Sequence, residues 1–184
     1  MEKIIDLTFY GKSNRKGCLL IKSEYLDPKM IEHVLYALTP QNRLICRVCL
    51  KTGLRLSDVL SLKTDSLSKR MTIRELKTGK KKTFTIGDRL FREMSVQAGQ
   101  VYVFPHRSDP DRHKTRQAVY ADLKRASKAY RVKCNFSPHS LRKVYAVELY
   151  RKYGDLKRVQ KALNHDNDIV TIIYALADEL QRRK

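Results

Sequence analysis

Two short runs with the period of a β-strand interrupt a sequence whose apolar residues otherwise recur at helical spacing. In RMTIREL (70–76) and KKTFTIG (81–87), apolar and polar residues alternate, as they do in a half-buried strand. The residues between these runs, KTGK, include Gly79, and glycine favours the backbone angles of a tight turn. The two runs therefore predict one antiparallel β-hairpin.

Helical periodicity precedes and follows this hairpin. In YLDPKMIEHVLYAL, Asp27 is a candidate cap and Pro28 suits the first turn of a helix. QNRLICRVCLKTG predicts a second helix that ends at Gly53, and SDVLSL predicts a third with Ser57 as its cap. Further helices are predicted within 88–99, 114–132, 140–154, 155–165 and 168–184. We predict a mainly α fold with a small antiparallel β-sheet, in the α+β class.

The charge of the chain indicates a polyanionic partner. Lys and Arg together number 39 and Asp and Glu 19, which gives a formal net charge of +20. Such an excess of one sign favours binding to nucleic acid. A basic membrane-surface protein is the rival interpretation, but no Lys/Arg-rich amphipathic helix dominates and Trp is absent. Without an apolar run of membrane-spanning length or a signal peptide, we expect no membrane partner and a cytoplasmic protein.

The cysteines do not predict a metal or redox centre. Of Cys18, Cys46, Cys49 and Cys134, only Cys46 and Cys49 are closely spaced. A zinc site would need a second close pair. Because both residues lie in a predicted helix among apolar residues, we expect buried free thiols.

The segment SPHSLRK has the character of an anion site. Ser137 suits a helix cap and Pro138 the first turn, so His139 and Arg142 lie one turn apart near a helix N-terminus. The free N–H groups of such an end favour an anion. An imidazole and a guanidinium at one place are suited to a single phosphate. The alternative is a capped first turn that faces solvent.

Arg55 and Tyr174 each have a simple interpretation and a chemical one. Arg55 follows a turn between two predicted helices, but most arginines are surface charges. Tyr174, nine residues after His165, lies away from the centre of the apolar stripe of its helix, although a tyrosine is commonly a core residue. A phenol with a pKa of about 10 attacks a phosphodiester only where cationic groups stabilise the developing charge. The donors available for this are Arg55, His139, Arg142 and His165.

The ordered set TGLRLSD, LKTGK, PHSLRK, LNH and a tyrosine nine residues after the last histidine resembles the catalytic domain of the tyrosine recombinases, the phage-integrase family of site-specific DNA recombinases. The resemblance extends from about residue 42 to 178. It implies strand cleavage and rejoining through a 3′-phosphotyrosyl intermediate, without a metal, ATP or another cofactor. The catalytic residues that it implies are Arg55, Lys77, His139, Arg142, His165 and Tyr174, with Asp58 in support.

We expect one lysine of the hairpin to act in catalysis and other lysines to contact DNA. The resemblance makes Lys77 the hairpin lysine, which suits a general acid that protonates the departing 5′ oxygen. The alternative for Lys77 is a plain phosphate contact, like its neighbours. The residues that we expect to contact DNA are Lys80, Lys81, Lys82 and Lys143.

The chain departs from the family pattern at three places. Lys143 follows Arg142 where a histidine is frequent. Asn164 precedes the second histidine where glycine is usual. Only 54 residues precede Arg55, too few for the helical core-binding domain that such recombinases carry. We therefore predict an N-terminal extension or linker remnant at 1–26 and a catalytic domain at 27–184.

The resemblance implies double-stranded DNA as the partner, a bacterial or phage-encoded origin, and a chain that is monomeric when free and forms a homo-tetramer, if at all, on DNA. Two other functions remain open. A type IB topoisomerase resembles the same residues but relaxes DNA, and a DNA-binding regulator with an idle recombinase-like site would form no covalent adduct.

Overall fold

A computed structural model describes residues 28–132 and 135–164 of the chain. Within these residues it is mainly α with one two-stranded antiparallel sheet, and the predicted fold class is confirmed. The elements are α1 (Pro28–Tyr36), α2 (Pro40–Thr52), α3 (Leu56–Leu60), β1 (Arg70–Arg74), β2 (Lys81–Thr85), α4 (Asp88–Gln97), α5 (Arg116–Ala129), α6 (Pro138–Tyr153) and α7 (Leu156–Ala162). Among the described helices, none has the length and apolar character needed to cross a bilayer.

The hairpin has the predicted turn. In its register Met71 pairs with Phe84 and Ile73 with Lys82. Gly79 has a φ of 67°, in the left-handed region that glycine adopts without strain. Met71, Phe84 and Lys82 are all buried, so one face of the hairpin packs on the core and includes a lysine.

Helix α2 lies at the centre of the core and packs against α1, α3, α4 and α6. Its fully buried residues include Ile45, Val48, Cys46 and Cys49. The two cysteines are free thiols, as predicted, and burial raises the pKa of Cys49 to about 12. Both thiols are therefore neutral at physiological pH and pack as small apolar groups.

Helix α7 packs on α6 through a second, smaller apolar cluster. Its buried members are Ala146, Val159 and Leu163. This contact brings the end of α7 next to α6, where the predicted anion site begins.

Asp122 of α5 connects the start of α2 to α5 through hydrogen bonds. Its Oδ2 accepts hydrogen bonds from the backbone N–H and the hydroxyl of Thr39, both at 2.9 Å, and from the Asn42 amide at 2.7 Å. Its Oδ1 accepts from Arg125 at 2.6 Å. Burial alone would raise the pKa of Asp122, but these hydrogen bonds outweigh it and lower the pKa to about 2.

One predicted cap is wrong. Helix α3 begins before Ser57, and Arg55 is the N-cap residue, with φ −71° and ψ 149°. Only Gly53, Leu54 and Arg55 separate α2 from α3, so the helix has already begun at Ser57. The candidate cap Asp27 and the helix predicted within 168–184 lie outside the described residues.

Candidate active site

Gly53 shapes the centre of the candidate site. It ends α2 with a φ of 62°, where a side chain is strained. A Cβ on Gly53 would lie 2.3 Å from Cδ1 of Tyr145 in α6. The glycine of TGLR is therefore required both by its backbone angle and by the ring that packs against it.

Arg142 is held by backbone carbonyls inside the protein. Its side chain is 1% exposed, which is rare for arginine unless the charge has partners. Nη1 donates to the carbonyl oxygen of Gly53, and Nη2 donates to that of Leu163 at 2.9 Å. Arg142 thus joins the end of α2, the start of α6 and the end of α7 at one point.

Arg55 is held by a carboxylate at the end of β1. Its Nη1 donates to Oε2 of Glu75 at 3.0 Å, and the same oxygen accepts from the Thr78 hydroxyl at 2.7 Å. Burial raises the pKa of Glu75, but the side chains of Thr78 and Asn164 and the charge of Arg55 more than offset this and lower it. Glu75 is therefore ionised, and it joins the Arg55 turn to the hairpin.

Glu75 was not predicted as a site residue. The available signal was its place in the strand: Met71 and Glu75 are both buried and are separated by an even number of residues, so both occupy the inward-facing set of the strand period. A carboxylate at an inward-facing position needs a cationic partner. Which cation would meet it depends on how the hairpin docks, which the period does not determine.

Asp58, predicted to support the site, belongs to α3, and its side chain contacts the hairpin. It is almost fully buried, and its Oδ1 accepts a hydrogen bond from the backbone N–H of Leu76 at 2.9 Å. The contact fixes the start of the hairpin turn, which carries Lys77, to the helix that follows Arg55.

The predicted cap of α6 is confirmed, and it places His139 in the first turn. The Ser140 hydroxyl accepts a hydrogen bond from the backbone N–H of Ser137 at 3.1 Å, and Pro138 opens the helix. His139 is half-buried, and Arg142 follows one turn later on the same helix.

The predicted DNA-contacting lysines differ in exposure. Lys80 and Lys81 are exposed on the hairpin, as is the proposed general acid Lys77. In contrast, Lys143 is 5% exposed and Lys82 is 7% exposed. A direct contact with phosphate requires an exposed ammonium group. Lys80 and Lys81 therefore meet this requirement, and Lys82 and Lys143 do not.

The side chain of Lys82 instead extends towards Gly53, near Arg55 and Arg142. Its Nζ donates to the Gly53 carbonyl oxygen at 3.4 Å, the same oxygen that holds Arg142. Burial, together with the charges of Arg142 and Arg55, lowers the pKa of Lys82 to about 8. The strand period agrees with this burial, because positions 82 and 84 share the inward face of β2.

Asn164 explains one departure from the family pattern. Its φ is 51°, in the left-handed region that glycine occupies best and asparagine tolerates better than most residues. The residue therefore meets the same backbone requirement as the usual glycine. The next residue, His165, and the proposed nucleophile Tyr174 lie outside the described residues.

The site brings two arginines and a lysine together with two carboxylates, from motifs far apart in the sequence. Two guanidinium groups at one place are suited to a phosphate group. Within residues 28–132 and 135–164, no group of three His, Cys, Asp or Glu side chains could hold a metal ion.

Solved structures show which class this fold belongs to. The crystal structure of XerA recombinase matches 93% of this chain and 67% of its own, with a TM-score of 0.72 and 17% identity. The site-specific recombinase XerH, bound to its palindromic difH substrate, matches 87% of this chain and 51% of its own, with a TM-score of 0.68 and 21% identity. The fold is that of a tyrosine recombinase catalytic domain.

The profile of the phage integrase family matches residues 24–180, and the chain belongs to this family. Among curated proteins, the integrase of Escherichia phage P2 is 27% identical over 173 residues, which are 91% of this chain and 48% of that protein. The chain spans about half the length of the curated relatives that it matches.

Proposed function

We propose that this chain is the catalytic domain of a site-specific DNA recombinase that cleaves and rejoins DNA strands through Tyr174. The observation that carries the proposal is the hydrogen bond from Nη1 of Arg142 to the carbonyl oxygen of Gly53. Gly53 lies two residues before Arg55, so this bond brings the arginines of two separate motifs together. Two guanidinium groups can hold the non-bridging oxygens of one phosphodiester.

In the proposed reaction, the phenolic oxygen of Tyr174 attacks the phosphorus atom while Arg55 and Arg142 stabilise the charge of the transition state. The bond from phosphorus to the 5′ oxygen breaks, and the 3′ side of the strand stays joined to the tyrosine. Lys77 donates a proton to the departing 5′ oxygen, and a base accepts the phenolic proton, with His139 and His165 as candidates. A 5′-hydroxyl later reverses these steps, so no ATP or metal is required.

The proposed partner is double-stranded DNA. The net charge of +20 and the exposed Lys80 and Lys81 favour contact with phosphates. The structural neighbour Tn1549 transposon integrase was solved in complex with transposon right end DNA. We propose that residues 27–184 form this domain, that the free chain is monomeric, that tetramers assemble on DNA, and that it acts in the cytoplasm of a bacterial host.

Covalent capture tests the proposal without a known target site. The chain is incubated with a library of nicked duplexes whose central base pairs are random, and adducts that survive denaturation are isolated and sequenced. Release of a short strand at the nick prevents religation and traps the adduct. We expect wild-type adducts to converge on one sequence and Tyr174→Phe to give none.

Two other outcomes would exclude this function. Failure of every library member to form an adduct would indicate a non-catalytic DNA-binding protein. Adducts with no sequence preference, together with relaxation of an unrelated supercoiled plasmid, would indicate a topoisomerase.

A further inference from the structure

Lys82 is a buried lysine to which the proposed reaction gives no task. It shares the inward face of β2 with the buried Phe84, whose partner across the hairpin, Met71 of β1, is also buried. A lysine at the edge of such a face usually extends its ammonium to water. Lys82 instead directs Nζ to the carbonyl oxygen of Gly53, at 3.4 Å.

The same carbonyl oxygen of Gly53 also accepts a hydrogen bond from Arg142. It accepts from Nη1 of Arg142 as well as from Nζ of Lys82, so two cations share one acceptor in the interior. Placing like charges together away from water is costly unless opposite charges or a bound anion compensate. The charges that surround Lys82 therefore decide whether this arrangement is compensated.

The charges around Lys82 leave room for one anion. Arg142 from α6, Arg55 from the start of α3, Glu75 from the end of β1 and Asp58 from α3 all act on its ammonium. With Lys82 protonated, three cations face two carboxylates among the residues that the structure describes. A single negative charge, such as that of a phosphodiester, would balance the cluster.

We propose that Lys82 is a positioning residue of the phosphate site: it fixes the Gly53 carbonyl that holds Arg142, and its ammonium supplies a third positive charge when a phosphate binds. The inference rests on the proposed function, since the phosphate concerned is that of the DNA strand to be cleaved. Lys82 acts through Gly53 and through its charge, and Lys77 keeps the role of proton donor.

The protonation of Lys82 provides a direct readout. Burial and the two arginines lower its pKa to about 8, against the opposing effect of Glu75 and Asp58. A phosphate bound beside it favours the ammonium form and raises that pKa. Lys82 therefore takes up a proton when phosphate binds at or above pH 8.

The first test is a pH titration by NMR of the chain labelled with ¹³C at lysine Cε. We expect one resonance with a midpoint near pH 8, absent in Lys82→Met and retained in the control Lys69→Met, whose side chain is 58% exposed. Inorganic phosphate should move this midpoint upward, and chloride at equal ionic strength should not. A midpoint in the ordinary lysine range, or one that phosphate leaves unchanged, overturns the proposal.

The second test separates positioning from a merely structural role. We expect Lys82→Met to slow single-turnover cleavage of a captured duplex at least about tenfold, with thermal stability unchanged or raised because methionine suits an apolar face. Lys69→Met should cleave as wild type. Unchanged cleavage in Lys82→Met, or a loss of cleavage that follows a loss of folding, overturns the proposal. Failure of the wild type to cleave any duplex would instead overturn the proposed function, while the titration still decides the role of Lys82.

Discussion

At the residue scale, the site depends on Gly53 more than on any charged group, because its carbonyl oxygen holds both Arg142 and Lys82. Its left-handed φ and the ring of Tyr145, which would lie 2.3 Å from an added Cβ, leave no place for a side chain. Gly79 offers a matched comparison, since its φ is 67° but, apart from its chain neighbours, no atom of the described residues lies within 4 Å of an added Cβ.

We expect Gly53→Ala to lower the free energy of unfolding by about 3 kcal/mol, since backbone strain and overpacking each cost about 1–2 kcal/mol. Gly79→Ala should cost only the strain, about 1 kcal/mol. Urea denaturation of both variants measures the difference. Equal losses would show that Tyr145 does not constrain Gly53.

Glu75 is expected to act on Arg55. Replacing the carboxylate with an amide in Glu75→Gln keeps the shape and removes the charge that orients the guanidinium. Loss of a charged hydrogen bond of about 1.5–3 kcal/mol predicts cleavage slower by roughly 10- to 100-fold. Glu93→Gln is the control, because Glu93 pairs with Arg47 and Arg89 on α2 and α4. Equal rates for the two variants would contradict the role of Glu75.

The sequence predicted some site residues and missed others for a physical reason. Helical spacing placed Arg142 one turn after His139, whereas Asp58 was expected only from the resemblance to the recombinase family. The roles of Glu75 and Lys82 depend on which face of the hairpin packs against the end of α2. That contact joins residues 29 apart in the chain, Lys82 and Gly53, and no local pattern specifies it.

At the scale of elements, periodicity predicted the helices and the hairpin well, since each buries one face at a regular spacing. The start of α3 was misplaced by two residues, because its N-cap residue, Arg55, makes no side-chain cap hydrogen bond and so lacks the usual capping signal. The connection between α5 and the start of α2 was not predicted either, because it depends on hydrogen bonds from Thr39 and Asn42 to Asp122, 83 and 80 residues away in the chain.

Asp122→Asn tests this connection. The pKa of Asp122 falls from 3.8 to about 2 on folding, so its contribution of about 2 kcal/mol is complete above about pH 4 and is lost as the pH falls towards 2. We expect the variant to be less stable than wild type by about this amount at pH 7 and nearly equal to it at pH 2. Urea denaturation at both pH values is the measurement, and a difference that does not depend on pH would contradict the assignment.

At the scale of the whole molecule, the excess of basic residues should dominate binding to DNA. We expect the logarithm of the affinity to fall linearly with the logarithm of salt concentration, with a slope of about −0.9 for each phosphate neutralised. Tyr174→Phe should bind with the same slope, since it removes no positive charge. Fluorescence anisotropy with a labelled duplex measures both, and a flat response to salt would be inconsistent with an interface made of phosphate contacts.

The central claim is that Tyr174 forms the bond to DNA, and peptide mapping of the covalent adduct tests it most directly. Trypsin releases residues 162–182 as one peptide, in which Tyr174 is the only tyrosine. After nuclease treatment, mass spectrometry should find the nucleotide-derived mass on this peptide, and Tyr174→Phe should give no adduct. A modification on residues 144–151, the one tryptic peptide that contains both Tyr145 and Tyr150, or an adduct that persists in Tyr174→Phe, would contradict the account.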